Sequence, residues 1–259
     1  MARFSTAVVR RSARALNANV RPDMITLVLL PGLDGTGRLF DDFVAAFGPE
    51  VQTIVVSYPP EKPLGYAELE PIARSFLPHD QPFYLLAESF SGPLAISIAA
   101  ASPPGLCGLV LCCSFARNPW PLPAPLLALL RAAIGVAPVS SLPVAWLSFF
   151  VLGRFATPSL RDALARALAQ VPPSVLRRRA CAALSIDVSA QLSLIKVPVR
   201  YLRASEDRIV HRSSAALVMS LVPNIRIDEL VAPHFLLQTL PAQVAALVSR
   251  FMDVGNDTA

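Results

Sequence analysis

The chain has 259 residues, 54% of them apolar and 16% charged, with a formal net charge of +5 at pH 7. That length supports one sizeable core plus an insertion of subdomain size, and that apolar fraction excludes a disordered chain. The charge is uneven, because residues 1–22 carry Arg3, Arg10, Arg11, Arg14 and Arg21 without an acid, yet no aromatic or basic pattern elsewhere reads as nucleic-acid recognition.

The basic tail, 1–22, reads as an organelle-targeting segment, a nucleic-acid arm or a frayed start. It lacks an uninterrupted apolar run with a small-residue cleavage site, so no secretory signal is expected and a cytoplasmic protein is the default. Beyond it, short apolar runs rich in β-branched residues alternate with helix-like stretches, which is the pattern of a mostly parallel α/β sheet with crossover helices. The predicted strands are Thr26–Leu30, Gln52–Ser57, Phe83–Ala87, Gly108–Cys113, Val199–Arg203 and Arg226–Leu230. Predicted helices lie at Leu39–Phe47, Tyr66–Phe76, Gly92–Ala101, Ser213–Leu221 and Pro241–Phe251.

The first predicted strand runs into "LLPGLDGTGRLF", where Gly32, Gly35 and Gly37 are spaced G-x-x-G-x-G. A dinucleotide loop needs G-x-G-x-x-G and an acid at the end of the next strand, whereas that strand ends in Ser57-Tyr58. The third strand leads into "LLAESFSGPLA". A serine at a sharp strand-to-helix turn has its hydroxyl pushed out at the sheet edge and a helix N-terminus aimed at the same point. Ala87, Ser91 and Gly92 are small enough to allow that turn around Ser89. Glu88, between them, reads as a solvated or hydrogen-bonded turn residue.

Cys107, Cys112 and Cys113 lie in or beside the run "GLVLCCSF", and neither they nor Cys181 have metal-ligand spacing, so free buried thiols are expected. From Arg117 to Leu194 the strand rhythm stops, and "TPSLRDALARALAQV" and "PPSVLRRRACAALSI" have helical spacing. The expected division is therefore a helical insertion at 117–194 within a core of 23–116 and 195–259. Its stretch Ala132–Gly153 carries no charge and is long enough to span a bilayer. Gly135, Pro138, Ser140, Ser141 and Pro143 break it, which predicts two short buried helices and no transmembrane span. The insertion is basic, with Arg131, Arg154, Arg161, Arg166, Arg177, Arg178 and Arg179 against Asp162 and Asp187. Beyond the fifth predicted strand comes "ASEDRIV" with Asp207, and beyond the sixth "APHFLLQTLP" with His234.

The stretch Ala87-Glu88-Ser89-Phe90-Ser91-Gly92 resembles the G-x-S-x-G nucleophile turn of the α/β-hydrolase superfamily, with both motif glycines replaced by slightly larger residues. The order Ser89, Asp207, His234 agrees, as do the spacing D-x-x-V from Asp207 to Val210 and Pro241 seven residues after His234. The resemblance implies a Ser-His-Asp triad in which Ser89 attacks an acyl carbonyl, His234 takes its proton and Asp207 orients the imidazole. Glu206 is a competing acid, while His211 and His79 read as surface residues. It also implies an oxyanion hole of the Leu33 and Phe90 backbone N–H groups, with Pro31 standing where the superfamily often has histidine. No cofactor or metal is required.

In the position and size of its helical cap the sequence is similar to the small capped carboxylesterases, among them the pimeloyl-ACP methyl ester carboxylesterases of biotin synthesis. That likeness implies ester hydrolysis. The apolar composition of the cap, in Leu127, Leu129, Leu130, Trp146, Phe149, Phe150 and Leu152, reads either as core packing or as an acyl-chain pocket, with Trp146, Phe149, Phe150, Arg154 and Arg161 as candidate substrate-binding residues. The likeness also implies a place for an acidic acyl-carrier protein at the basic cap. Thioester cleavage, acyl transfer, cofactor-free perhydrolysis or a non-catalytic binding protein on the same fold remain the alternatives.

Overall fold

The computed structural model describes residues 24–136, 144–223 and 225–256. The basic tail and the predicted break at Pro138–Pro143 lie outside them. Strands β1 (Ile25–Leu30), β2 (Val51–Val55), β3 (Phe83–Glu88), β4 (Leu106–Cys112), β5 (Val199–Ala204) and β6 (Arg226–Leu230) form one sheet in the order β2-β1-β3-β4-β5-β6. Every neighbouring pair is parallel. A parallel sheet is covered on both faces, which is why β1, β3 and β4 read as nearly unbroken apolar runs, while β2, β5 and β6 mix in polar residues that are partly exposed. Val28, Leu30, Leu85, Ala87, Leu109 and Leu111 enter one core cluster, while Leu27, Leu29, Tyr84, Leu86, Val110 and Cys112 enter the other.

Helices α1 (Asp41–Ala45), α2 (Tyr66–Arg74) and α3 (Gly92–Ala100) join the first four strands. Four more, α4 (Ala124–Val136), α5 (Val144–Val151), α6 (Pro158–Ala169) and α7 (Pro173–Ala183), lie between β4 and β5, and α8 (Ser213–Leu221), α9 (Leu236–Thr239) and α10 (Pro241–Asn256) complete the chain. The single helix expected over Leu39–Phe47 is instead a 3-10 turn, Arg38–Phe40, followed by the short α1. Gly37, at φ 76°, starts it in the left-handed region and tightens the turn.

The helical segment leaves and rejoins the sheet through a narrow neck. Asn118 N–H donates to the Ile186 carbonyl, Val188 N–H donates to the Ala116 carbonyl, and Arg117 pairs antiparallel with Asp187. The two helices expected in Ala132–Gly153 correspond to the end of α4 and to α5, but their expected burial is corrected. Within that stretch Trp146 is 66% exposed and Phe149 59%, because these helices carry apolar side chains on more than one face while only one face meets the rest of the molecule. Among the described residues no helix is long and apolar enough to cross a membrane.

Candidate active site

The chain runs from β1 outward to β2 and returns on the other side of β1 to form β3. Loops leaving the C-terminal ends of β1 and β3 therefore diverge, which opens a crevice at this switch point. Ser89 stands at the end of β3 and the Pro31–Gly37 loop at the end of β1, so sheet order alone brings the two segments together.

Ser89 has φ 48° and opens a 3-10 turn, Ser89–Ser91, that passes directly into α3. The neighbouring packing holds this turn. The Ser89 carbonyl accepts from Ser114 Oγ at 2.7 Å, and a Cβ on Gly92 would stand 1.7 Å from that same oxygen. Gly92, itself in ordinary helical backbone at φ −55°, is thus required for close approach. Phe90 is buried, its ring stacked at 4.7 Å on Tyr66, whose hydroxyl donates to the Phe90 carbonyl.

His234 lies just beyond β6, with Nε2 2.8 Å from Ser89 Oγ and Nδ1 2.9 and 3.0 Å from the two Asp207 oxygens. Asp207 is held in turn, since its Oδ1 accepts from the Ile209 and Val210 N–H groups at 2.8 and 2.9 Å. Burial alone pushes the His234 pKa down, but the facing Asp207 carboxylate and, further off, Glu88 outweigh it, so the net shift is upward. The structure brings Ser89, His234 and Asp207 into one hydrogen-bonded line. Glu206 instead faces Arg154, whose Nε lies 3.0 Å from both its oxygens, and His211 and His79 are exposed.

Leu33 and Phe90, the expected oxyanion donors, both border the cavity beside Ser89. Several residues that the sequence did not single out hold the loop carrying Leu33. Tyr58 OH lies 2.6 Å from Ser91 Oγ, which donates in turn to the Pro31 carbonyl, so the Ser89 turn and the β1 loop are tied together. Arg179 reaches the same loop from α7. Its Nη1 donates to the Leu33 and Asp34 carbonyls at 3.1 and 2.6 Å, and Nη2 donates to Pro59 at 3.2 Å. Its side chain is completely buried. The sequence placed it in a basic surface run, where nothing distinguishes it from Arg177 and Arg178.

Of the two readings of Glu88, solvated or hydrogen-bonded, the second holds. Glu88 is buried, accepts from Gln238 Nε2 at 2.9 Å and from the Gly32 N–H, and borders the cavity. Desolvation pushes its pKa up to about 7, against the smaller lowering by those hydrogen bonds.

Above Ser89 is a cavity of about 280 Å³. Apart from Ser89, His234, Glu88 and Asp34 its walls are almost wholly apolar, with Leu130, Ile134, Leu147, Val151, Leu164 and Leu168 supplied by the helical segment. Of the cap residues expected at a pocket, Leu130 lines it, whereas Trp146, Phe149, Phe150, Arg154 and Arg161 do not. In α5 the helical period turns Leu147 and Val151 inward and Trp146, Phe149 and Phe150 outward. Arg154 is paired with Glu206 and Arg161 is exposed.

Cys113 Sγ lies within 4.8 Å of ligand atoms of Asp207 and His234. Those two groups are already engaged with each other, so no metal is assigned there.

A model of the alpha/beta hydrolase family matches residues 27–247. Among solved structures, a hydrolase from Pseudomonas aeruginosa PA01 is 21% identical at a TM-score of 0.74, covering 90% of this chain and 92% of that one. The enol-lactonase from Burkholderia xenovorans LB400 is 16% identical at 0.75, with 89% and 92% covered. An esterase from Exiguobacterium antarcticum is 14% identical at 0.73, with 88% and 91% covered. At these identities the likeness is one of fold. A search of the curated proteins returned no match.

Proposed function

The chain belongs to the alpha/beta hydrolase family, and from that premise we propose that it is a serine esterase acting through an acyl-enzyme intermediate. The observation that carries this reading is the line from Asp207 through His234 to Ser89 Oγ at the floor of an apolar cavity. His234 Nε2 takes the Ser89 proton as Oγ attacks the ester carbonyl. The Asp207 carboxylate accepts from Nδ1–H, which holds the tautomer with a free Nε2. The Leu33 and Phe90 N–H groups receive the oxyanion, and the protonated imidazole returns its proton to the departing alcohol. Water activated by the same histidine then releases the acid.

The cavity favours an acyl group without charge, since a carboxylate placed among those leucines would lose its hydration without a partner. Acyl-carrier methyl esters, implied by the resemblance, fall in this class when their acyl chain is apolar where it enters. Ser89→Ala is expected to fold and to lose at least about a thousandfold in kcat, with residual catalysis from the oxyanion site. A fluorophosphonate probe should label Ser89 and no other serine. Labelling elsewhere, or turnover retained in the variant, would falsify the assignment.

A further inference from the structure

Helices α4 and α5 carry apolar side chains on both faces. Leu130, Ile134, Leu147 and Val151 point into the cavity above Ser89, while Leu126, Leu129, Trp146, Phe149 and Phe150 on the same helices are exposed. An amphipathic helix would have polar residues at those outer positions. The other large exposed hydrophobics of the described residues, Leu194, Met219 and Val231, sit on separate elements. Five of the eight large exposed hydrophobics of the described residues thus lie on two helices whose inner faces share one cavity, and grouped exposed apolar surface marks an interaction site.

The surrounding charge has one sign along the sequence. From residue 117 to residue 161 the chain contains Arg117, Arg131, Arg154 and Arg161 and no aspartate or glutamate. Arg208 adds a guanidinium 4.6 Å over the Phe149 ring, with Nη1 bonded to the Phe149 carbonyl at 3.1 Å. Arg154 lies 4.9 Å over Phe155 and pairs with Glu206, which offsets one of these charges. Arg117 sits in the neck beside Asp187 and Arg131 Nη1 donates to Ser185 Oγ, so the cations that the structure places against the aromatic residues are Arg208 and the Glu206-paired Arg154.

We propose that the outer faces of α4 and α5 seat this protein on an anionic lipid surface. Tryptophan and phenylalanine settle at the boundary between headgroups and acyl chains, and arginines meet the phosphates. An acidic protein would match the arginines alone, whereas an anionic bilayer matches the arginines and the apolar surface together. The contact also brings an acyl phase to helices whose inner faces line the cavity. Binding does not depend on turnover, so its test stands apart from that of the esterase reading.

The experiment uses the full chain with phosphatidylglycerol–phosphatidylcholine vesicles, and with phosphatidylcholine vesicles as control. The protein has two tryptophans. Trp120 is half-buried with its ring N–H on the Ile209 carbonyl, so Trp146 is the one positioned to report the lipid. The expected result is co-sedimentation with anionic vesicles that weakens with salt, a blue shift of tryptophan emission, and quenching by brominated acyl chains. Combining Trp146→Ser, Phe149→Ser and Phe150→Ser should lower partitioning at least about tenfold at an unchanged thermal midpoint. Replacing Arg3, Arg10, Arg11 and Arg14 by serine separates the contribution of the basic tail and should leave quenching in place. The proposal is overturned if the patch variant binds like wild type, if only the tail variant loses binding, or if wild-type emission is not quenched by brominated lipid. It is equally overturned if the patch drives self-association or binds an acidic carrier protein while vesicles remain unbound.

Discussion

At φ 48° Ser89 occupies a backbone region that costs a non-glycine residue about 1–2 kcal/mol, and the surrounding packing holds it there. Ser89→Gly is therefore expected to be more stable than Ser89→Ala by about 1 kcal/mol, although neither variant has a nucleophile. Urea denaturation of the two variants measures the difference, and equal midpoints would show that the turn is unstrained. Beside it, His234 has a pKa raised above its ordinary value by Asp207 and Glu88. In the proposed mechanism only the neutral imidazole accepts the serine proton, so kcat/KM should fall as pH drops, with a midpoint above that of an ordinary histidine.

Glu88 adds a second pH dependence. Its folded pKa of about 7 exceeds the ordinary 4.5, so the fold favours the protonated carboxyl. Its contribution is most favourable below the ordinary value and declines as pH rises towards 7. Glu88→Gln retains an oxygen for Gly32 while removing the charge. We expect it to match wild type in stability near pH 5, to exceed it by about 1–3 kcal/mol near pH 8, and to move the acid limb of kcat/KM to lower pH. Denaturation curves at the two pH values, with one kinetic pH profile, test all three statements.

Between elements, Arg179 is the strut from α7 to the loop that carries Leu33. It donates to three carbonyls, and a Cβ on Gly35 would stand 2.4 Å from its Nη1. Removing the guanidinium leaves buried acceptors without donors, so Arg179→Met should cost about 3–5 kcal/mol. If the strut also positions the oxyanion loop, the folded fraction should lose kcat with little change in KM. Arg179→Lys, which keeps the charge but cannot span all three carbonyls, should recover part of both losses. A KM increase with unchanged kcat would confine Arg179 to holding the helices together.

For the molecule as a whole, the proposed esterase activity makes the cavity between sheet and helical segment the limit on the acyl group. Each methylene buried there contributes about 0.8 kcal/mol, or roughly fourfold in kcat/KM, until the space is filled. A p-nitrophenyl ester series from acetate to palmitate should rise by that factor per methylene and then level off. Leu164, buried in the cavity wall, offers a way to shorten the space. Leu164→Trp should move the plateau to shorter chains while acetate hydrolysis stays near wild type, and an unmoved plateau would place the acyl chain elsewhere.

Strands β1, β3 and β4 were legible because a sheet covered on both faces needs uninterrupted apolar stretches, whereas β2, β5 and β6 carry polar residues among their apolar ones; all six emerge within two residues of their expected ends. The Ser89 turn was legible for a related reason: a sharp strand-to-helix turn admits only small neighbours, and Gly92 meets Ser114 where a side chain would not fit. The placement of Asp207 and His234 at strand ends was equally local, and the fold adds the sheet order that brings both to Ser89. Burial in the helical segment was not legible. Arg177, Arg178 and Arg179 are chemically identical neighbours, and only the packing of α7 on the β1 loop makes one of them an interior strut. Trp146, Phe149 and Phe150 looked like pocket residues by composition, but composition does not contain a direction. The rotation of α5 against the sheet decides that Leu147 and Val151 face the cavity and that the aromatic residues face outward.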